Sequence, residues 1–181
     1  MPLNICVYCA SSDAVDAIYF DAAGKLGELI ARGGHTLIFG GGTIGLMGAM
    51  ARSVHKHGGR VVGVIPDTMV DRELAYREAD ELIVTDSMRQ RKAEMDQRAD
   101  AFVALPGGFG TLEELIEVLT HRQLKYHSKP TVIVNVSGFY DPLLVLFEHF
   151  IEHRFAKPKH RGSYLVVPGP AEAMAALNGH R

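Results

Sequence analysis

Two glycine-rich segments are the positions where this sequence is best suited to bind an anion. They are residues 40–48, GGGTIGLMG, and residues 106–114, PGGFGTLEE, and each follows a short apolar run. Glycine lets a backbone approach a phosphate closely, and a helix that begins there offers unpaired N–H groups and the positive end of its dipole. In the first segment we expect Gly41, Gly42 and Thr43 to contact a phosphate, with a plain strand-to-helix turn as the alternative. The glycine spacing there also matches the dinucleotide-binding fingerprint, but it follows the second apolar run of the chain instead of the first.

The second segment ends in a carboxylate, Glu114, for which the pattern leaves two roles open. Thr111 and Glu114 form a Thr-x-x-Glu capping box, in which the carboxylate would only hold the start of a helix. In that helix Glu114 points away from the apolar stripe, toward solvent or toward a cleft. A carboxylate in a cleft can stabilise a cation or activate water, so capping and chemistry remain equal alternatives.

A predicted helix over residues 87–98 places arginine beside methionine. Ser87 is its expected N-cap, with Gln90 completing a capping box. Residues at three- and four-residue steps share one face, and here they are Met88, Arg91, Met95 and Arg98. Arg91 could bind a phosphate or a carboxylate in a bidentate manner. Spacing alone favours the alternative, a solvated helix with a Glu94–Arg98 ion pair.

Neither the cysteines nor the closely spaced histidines predict a metal site. Cys6 and Cys9 lie within a strand pattern, where residues three apart face opposite sides, and a second cysteine pair is absent. His149 and His153 fall beside glutamates on the polar side of an amphipathic helix, which favours a solvated face. We therefore predict no metal and no cofactor.

The elements that must position these residues alternate between short apolar runs and helical patterns. Six strands are predicted at 3–10, 35–39, 61–65, 81–84, 101–105 and 131–135, and helices at 17–32, 45–57, 87–98, 112–124, 142–154 and, weakly, 171–177. This alternation indicates an α/β fold, a parallel sheet with helices on both faces, and residues 1–181 are expected to form a single Rossmann-like domain. In such sheets ligands bind beyond the carboxyl ends of the strands, where both glycine segments lie.

Composition and charge exclude several classes of function and indicate the cellular compartment. The chain has 181 residues and a formal net charge of −2, which argues against a general binder of nucleic acid or anionic membranes. No apolar run reaches the ~18 residues of a membrane helix. With no positively charged signal segment at the start and only two cysteines, the sequence predicts a cytoplasmic protein with reduced thiols.

Together these motifs resemble the LONELY GUY family of cytokinin-activating phosphoribohydrolases. The strongest markers are residues 91–95, RKAEM, and residues 106–114. Supporting segments lie at 8–12, 40–48, 63–66, 72–74 and 138–144. The resemblance implies a Rossmann-like homodimer that hydrolyses the N-glycosidic bond of N6-prenylated adenosine 5'-monophosphates, giving the free base and ribose 5-phosphate.

The resemblance also implies roles for individual residues. Arg91 and Glu114 match the catalytic arginine and glutamate of the family. The matched substrate-contact positions are Glu73, Lys92, Gly107, Gly108, Phe109, Gly110, Thr111, Leu112, Glu113 and Thr120. His121 and Lys125 stand where plant members typically have Trp and Gly. These departures concern the pocket for the N6 side chain, so both a prenylated adenine and plain adenine remain open as the substrate base. The sequence also leaves open an AMP nucleosidase-like activity, a non-catalytic carrier of a nucleotide or molybdenum cofactor, and an NAD-dependent oxidoreductase.

Overall fold

The computed structural model describes residues 1–70 and 74–179 as an α/β fold. Its strands are β1 (Asn4–Tyr8), β2 (Thr36–Phe39), β3 (Arg60–Pro66), β4 (Glu81–Thr85), β5 (Ala101–Ala104), β6 (Thr131–Val134) and β7 (Leu165–Val167). Its helices are α1 (Ala17–Arg32), α2 (Gly45–Lys56), α3 (Asp67–Val70), α4 (Met88–Arg98), α5 (Phe109–Gln123), α6 (Asp141–Glu152) and α7 (Pro170–Gly179), with 3₁₀ turns at Val136–Gly138 and Pro158–Ser163. Glu73 lies outside the described residues.

The strands form one parallel sheet in the order β4-β3-β2-β1-β5-β6-β7. The chain builds outward from β1 to β4 and then crosses back to β5, so the order reverses between β1 and β5. Two backbone hydrogen bonds tie the ends of these strands together, from Leu105 N to Tyr8 O at 2.9 Å and from Ala10 N to Pro106 O at 3.2 Å. This switch point is where ligands of open α/β sheets bind.

Helices cover both faces of the sheet, which confirms the predicted fold class. On one face, side chains of α1, α2 and α7 pack against alternate residues of the central strands; Leu26, Met50 and Leu177 are among them. On the other face, α4, α5 and α6 supply Met95, Val118, Leu115 and Phe147. Both cysteines are free and buried, with Cys6 and Cys9 on opposite faces as the strand pattern predicts.

Three elements differ from the sequence-based expectation. Helix α5 begins at Phe109, three residues before the predicted start, because Gly108 is its N-cap and accepts the first helical bond from Leu112 N at 3.0 Å. Residues Leu165–Val167, for which no strand was predicted, form a seventh strand, β7, beside β6. The short helix α3 was not predicted. No helix in the described part of the chain has the length and apolar character to cross a membrane.

Candidate active site

Arg91 is buried at the end of the sheet that carries the carboxyl termini of the strands. The side chain of Ser87 starts α4 by accepting from Gln90 N at 3.2 Å, as predicted. Gln90 does not complete the capping box, since its Oε1 accepts from the N–H of Asp86 at 2.9 Å. One turn into this helix, Arg91 is only 7% exposed. The expectation of a solvated helix is therefore wrong at this residue.

The Arg91 guanidinium is held on both sides by acceptors. Its Nη1 donates to Oε1 of Glu114 at 2.7 Å, and its Nε donates to the carbonyl of Val64 at 3.0 Å. Gly40 makes room for the third nitrogen, because a Cβ at that position would collide with Nη2. On the outer side of α4 the predicted Glu94–Arg98 ion pair is present at 2.5 Å. Sequence reasoning missed the roles of Val64 and Gly40, which depend on tertiary contacts alone.

Glu114 does not cap α5, so the capping role that the sequence left open is wrong, and the chemical role stays a prediction. The helix begins five residues earlier, and the carboxylate of Glu114 is turned onto Arg91 with only 9% of the residue exposed. Burial raises the pKa of this carboxyl above its ordinary value, while the charge and hydrogen bond of Arg91 act in the opposite direction. A buried carboxylate paired with one arginine at this end of the sheet is a candidate for the chemical role.

Lys92, one residue further along α4, faces the same helix. Its ammonium donates to Glu113 and forms a second ion pair with Glu117 at 2.7 Å. Two salt bridges thus join α4 to α5 beside the Arg91–Glu114 pair. Lys92 and Glu113, both predicted substrate contacts, neutralise each other in this structure.

The start of α5 presents donors that the fold leaves unused. Within the described chain, no hydrogen bond is formed by the backbone N–H groups of Phe109, Gly110 and Thr111, as is usual for a first helical turn without a cap. A Cβ on Gly107 would collide with Thr111, so packing requires that glycine. By contrast, a Cβ on Gly108 or Gly110 would meet no described atom within 4 Å. These two glycines leave free space over exposed donors.

Two clefts lie on either side of this turn. One, of about 310 Å³, is lined by Leu112, Phe139 and Leu143. The other, of about 280 Å³, is lined by Ser12, Tyr19 and Leu46. Gly107 and Gly108 border both clefts, so a ligand in either one reaches the start of α5. Unpaired N–H groups at the start of a helix are the groups that bind phosphate in other proteins.

The first glycine segment is different, because its helix has already used its donors. Gly45 N donates to Oδ1 of Asp13 at 2.8 Å and Leu46 N donates to the carbonyl of Ala10 at 3.0 Å. The expectation that α2 offers unpaired N–H groups is therefore wrong for these two residues. Gly41 and Gly45 have φ angles of 73° and 65°, which favour glycine whether or not a ligand binds. Contact of Gly41, Gly42 and Thr43 with substrate stays a prediction.

Comparison with known proteins identifies the family. A family model described as "Possible lysine decarboxylase" matches residues 47–177. A cytokinin riboside 5'-monophosphate phosphoribohydrolase of Oryza sativa subsp. japonica is 44% identical over 174 residues, covering 96% of this chain and 72% of its own. One of Arabidopsis thaliana is 40% identical over 178 residues, covering 98% of this chain and 78% of its own. The chain belongs to the LONELY GUY family.

Solved structures support the fold of this LONELY GUY protein. The molybdenum cofactor binding protein of Rippkaea orientalis aligns with a TM-score of 0.75 at 21% identity, covering 99% of this chain and 98% of that one. The molybdenum cofactor carrier protein of Chlamydomonas reinhardtii aligns with a TM-score of 0.76 at 22% identity, with the same coverage. At this level of identity the likeness concerns the fold alone.

Two residues that the resemblance singled out, the match Thr120 and the departure His121, lie further along α5 than Glu114. Thr120 is exposed and lines an apolar groove between α5 and α6, together with Ile116 and Phe150. His121 borders a cavity of about 210 Å³ between α4 and α5 that reaches Glu114. Its Nδ1 lies 3.6 Å from Oδ2 of Asp96. A single copy of the chain therefore does not bring Thr120 into the site.

The described residues hold no cluster of three or more histidine, cysteine, aspartate or glutamate side chains that could bind a metal. His149 and His153 are both exposed on α6, with ring centroids 4.2 Å apart.

Proposed function

We propose that this chain hydrolyses the N-glycosidic bond of adenosine 5'-monophosphates, N6-prenylated forms included, and releases the free base and ribose 5-phosphate. This reaction is the activation of a cytokinin nucleotide, and the names of the relatives support it. The observation that carries the proposal is the buried Arg91–Glu114 pair beside the unused N–H groups at the start of α5. A carrier protein needs no such pair, so this pair favours an enzyme over a carrier.

The proposed mechanism follows from the bond that breaks. When the base departs, the ribose takes on oxocarbenium-like positive charge. The Glu114 carboxylate is suited to stabilise that charge and to activate the attacking water. Arg91 fixes the orientation of Glu114 through the 2.7 Å hydrogen bond and offsets its charge until substrate binds. Electrostatic positioning is sufficient, and no covalent intermediate is required.

The 5'-phosphate is expected to bind at the first turn of α5. The N–H groups of Phe109, Gly110 and Thr111 are available there, and the helix dipole adds a partial positive charge. Hydrogen bonds to a charged group contribute about 1.5–3 kcal/mol each. Losing two of them therefore corresponds to a loss of about 10²–10⁴-fold in kcat/KM. The phosphate lies away from the reacting bond, so its binding energy serves to position the ribose.

The deciding experiment compares four substrates with the same enzyme: AMP, isopentenyl-AMP and the two matching nucleosides. Base release is followed by chromatography at equal substrate concentrations. We expect hydrolysis of at least one nucleotide and rates at least about 10²-fold lower for its nucleoside. Equal rates for a nucleotide and its nucleoside would contradict the phosphoribohydrolase assignment. The rate of base release from isopentenyl-AMP relative to AMP decides whether the preferred base is prenylated.

We also propose that the protein is a cytoplasmic homodimer. Apolar side chains on and after α6 are exposed in the single chain, Val145 by 69% and Phe155 by 86%. Together with the groove that contains Thr120 they form an apolar surface suited to a second copy. A second copy there would cover Thr120, which the resemblance assigns to the substrate site. The free thiols of Cys6 and Cys9 support the cytoplasmic compartment.

A further inference from the structure

Three side chains outside the site form a hydrogen-bonded chain on the face of the sheet that carries α1 and α2. Nδ1 of His55, in the last turn of α2, lies 2.8 Å from the hydroxyl of Tyr76. Nε2 of the same ring lies 3.1 Å from Oδ2 of Asp80. That carboxylate oxygen also accepts from the N–H of Val61 at 2.7 Å, so the chain is anchored to β3.

The acceptor at one end of this hydrogen-bonded chain is the Asp80 carboxylate. The N–H of Val61 and the hydrogen bond of His55 hold the pKa of Asp80 below its ordinary value, so the carboxylate only accepts. Burial and a hydrogen bond to Glu78 raise the pKa of the Tyr76 hydroxyl above its ordinary value. Tyr76 itself is only 3% exposed. Its ring stacks on His55 and meets the Phe39 ring edge-on, with centroids 6.1 Å apart.

Tyr76 lies in a segment that is bonded to the first glycine turn by its backbone. Ala75 forms an antiparallel bridge with Gly42. Thr43 N donates to the carbonyl of Leu74 at 2.9 Å, and Tyr76 N donates to the carbonyl of Gly41 at 2.7 Å. This turn is therefore fixed from the outside by residues 74–76.

The opposite side of the same turn contacts the catalytic pair. Gly40 lies against Nη2 of Arg91, closely enough that a Cβ would collide with it. Arg91 in turn bonds Glu114. A displacement of the turn would therefore reach the predicted substrate contacts at 41–43 first and the guanidinium next.

We propose that Tyr76, held by His55 and Asp80, is a positioning residue that fixes the turn at residues 40–43 for nucleotide binding. The inference rests on the proposed function. Tyr76 touches neither substrate nor the reacting bond and acts through the backbone of Gly41. Because residues 41–43 of the turn are the predicted substrate contacts and Glu114 is the proposed catalytic group, we expect loss of the hydroxyl to weaken binding more than turnover.

The test is the substitution Tyr76→Phe, which keeps the ring contacts and removes the hydroxyl. We expect KM for AMP to rise by about 3- to 10-fold, the equivalent of one neutral hydrogen bond, with kcat within about 2-fold of wild type. A role limited to stability would lower the melting temperature and the active fraction but leave KM unchanged. His57→Gln is the matched control, because the His57 ring bonds only the carbonyl of Ser53 within the described chain. The control should keep the wild-type KM.

A second substitution, His55→Leu, breaks the same chain at its centre and covers the case in which Tyr76→Phe does not fold. This substitution should raise KM at least as much as Tyr76→Phe does. The double variant should have the same KM as His55→Leu alone, because both changes remove the same hydrogen bond between His55 and Tyr76. An unchanged KM in the single variants, or KM effects that multiply in the double variant, would overturn the inference while leaving the proposed function intact. A wild-type chain that releases no base from any nucleotide would refute both.

Discussion

Gly110 offers the sharpest separation between folding and function in this protein. It is the second residue of α5, and a Cβ there would meet no described atom within 4 Å. Alanine fits a helical position and reduces the conformational entropy of the unfolded chain. Gly110→Ala should therefore raise the free energy of unfolding by about 0.4–1 kcal/mol. For a chain of this length that corresponds to a melting temperature higher by roughly 1–4 °C.

The same methyl group would occupy the space in which we expect a phosphate to approach the start of α5. Losing one hydrogen bond between a backbone N–H and a charged phosphate costs about 1.5–3 kcal/mol. We therefore expect kcat/KM for AMP to fall by about 10- to 150-fold in Gly110→Ala, although the protein is more stable. A variant that gains stability and loses activity cannot owe the loss to unfolding.

The assay is base release from AMP together with thermal unfolding of the same preparations. Gly24→Ala is the matched control, because Gly24 lies within α1 and its Cβ would also meet no described atom within 4 Å. The control should gain stability and keep the wild-type kcat/KM. Wild-type kcat/KM in Gly110→Ala would refute the argument that phosphate approaches this turn.

The remaining predictions concern the Arg91–Glu114 pair and the assembly. Glu114→Gln should lower turnover by about 100-fold or more, because glutamine cannot act as a base. Its melting temperature should stay within a few degrees of wild type, because the glutamine oxygen still accepts from Arg91. Near-normal turnover in a folded variant would contradict the catalytic role. The acid limb of kcat/KM for wild type should lie above pH 4.5, because burial raises the pKa of a carboxyl that must be ionised to act. An acid limb at or below the ordinary carboxyl pKa would contradict this expectation. The raised pKa also means that the folded state binds the proton of Glu114 more tightly than the unfolded state does. The stability of wild type relative to Glu114→Gln should therefore fall as pH rises from the unfolded-state pKa through the folded-state pKa. Phe150→Asp on α6 should convert a dimer into a monomer in sedimentation, and a wild-type chain that is monomeric at every concentration and still active would contradict the proposed interface.

Much of the fold could be predicted because buried parallel strands leave continuous apolar runs in the sequence. Six strands were found in this way, within one or two residues of most of their ends. The strand β7 was missed because it has three residues, and both Leu165 and Val166 are exposed. An edge strand of that length has no buried alternation to detect. The start of α5 was missed because glycine at the N-cap carries no side-chain signal.

The site was harder to predict because helical spacing shows which residues share a face, not what that face contacts. Arg91 and Glu114 are 23 residues apart and meet only once α4 and α5 lie side by side on the sheet. Judged alone, each had an ordinary alternative, a solvated helix for one and a cap for the other. The chain of His55, Tyr76 and Asp80 left no signal at all, because its members come from a helix and a loop without a common period.

The two glycine segments show why a motif must be tested against the hydrogen bonds of the folded chain. Both follow a strand and both lead into a helix, so their sequences make the same case for phosphate. In α2 the donors of Gly45 and Leu46 are occupied by Asp13 and Ala10. In α5 the equivalent donors have no partner within the described chain, and Gly110 beside them has no steric reason to be glycine. The unused donors, not the glycines that both segments share, therefore favour the start of α5 as the phosphate site. The first segment lies against Arg91 at Gly40, and the contact of its residues 41–43 with substrate stays a prediction.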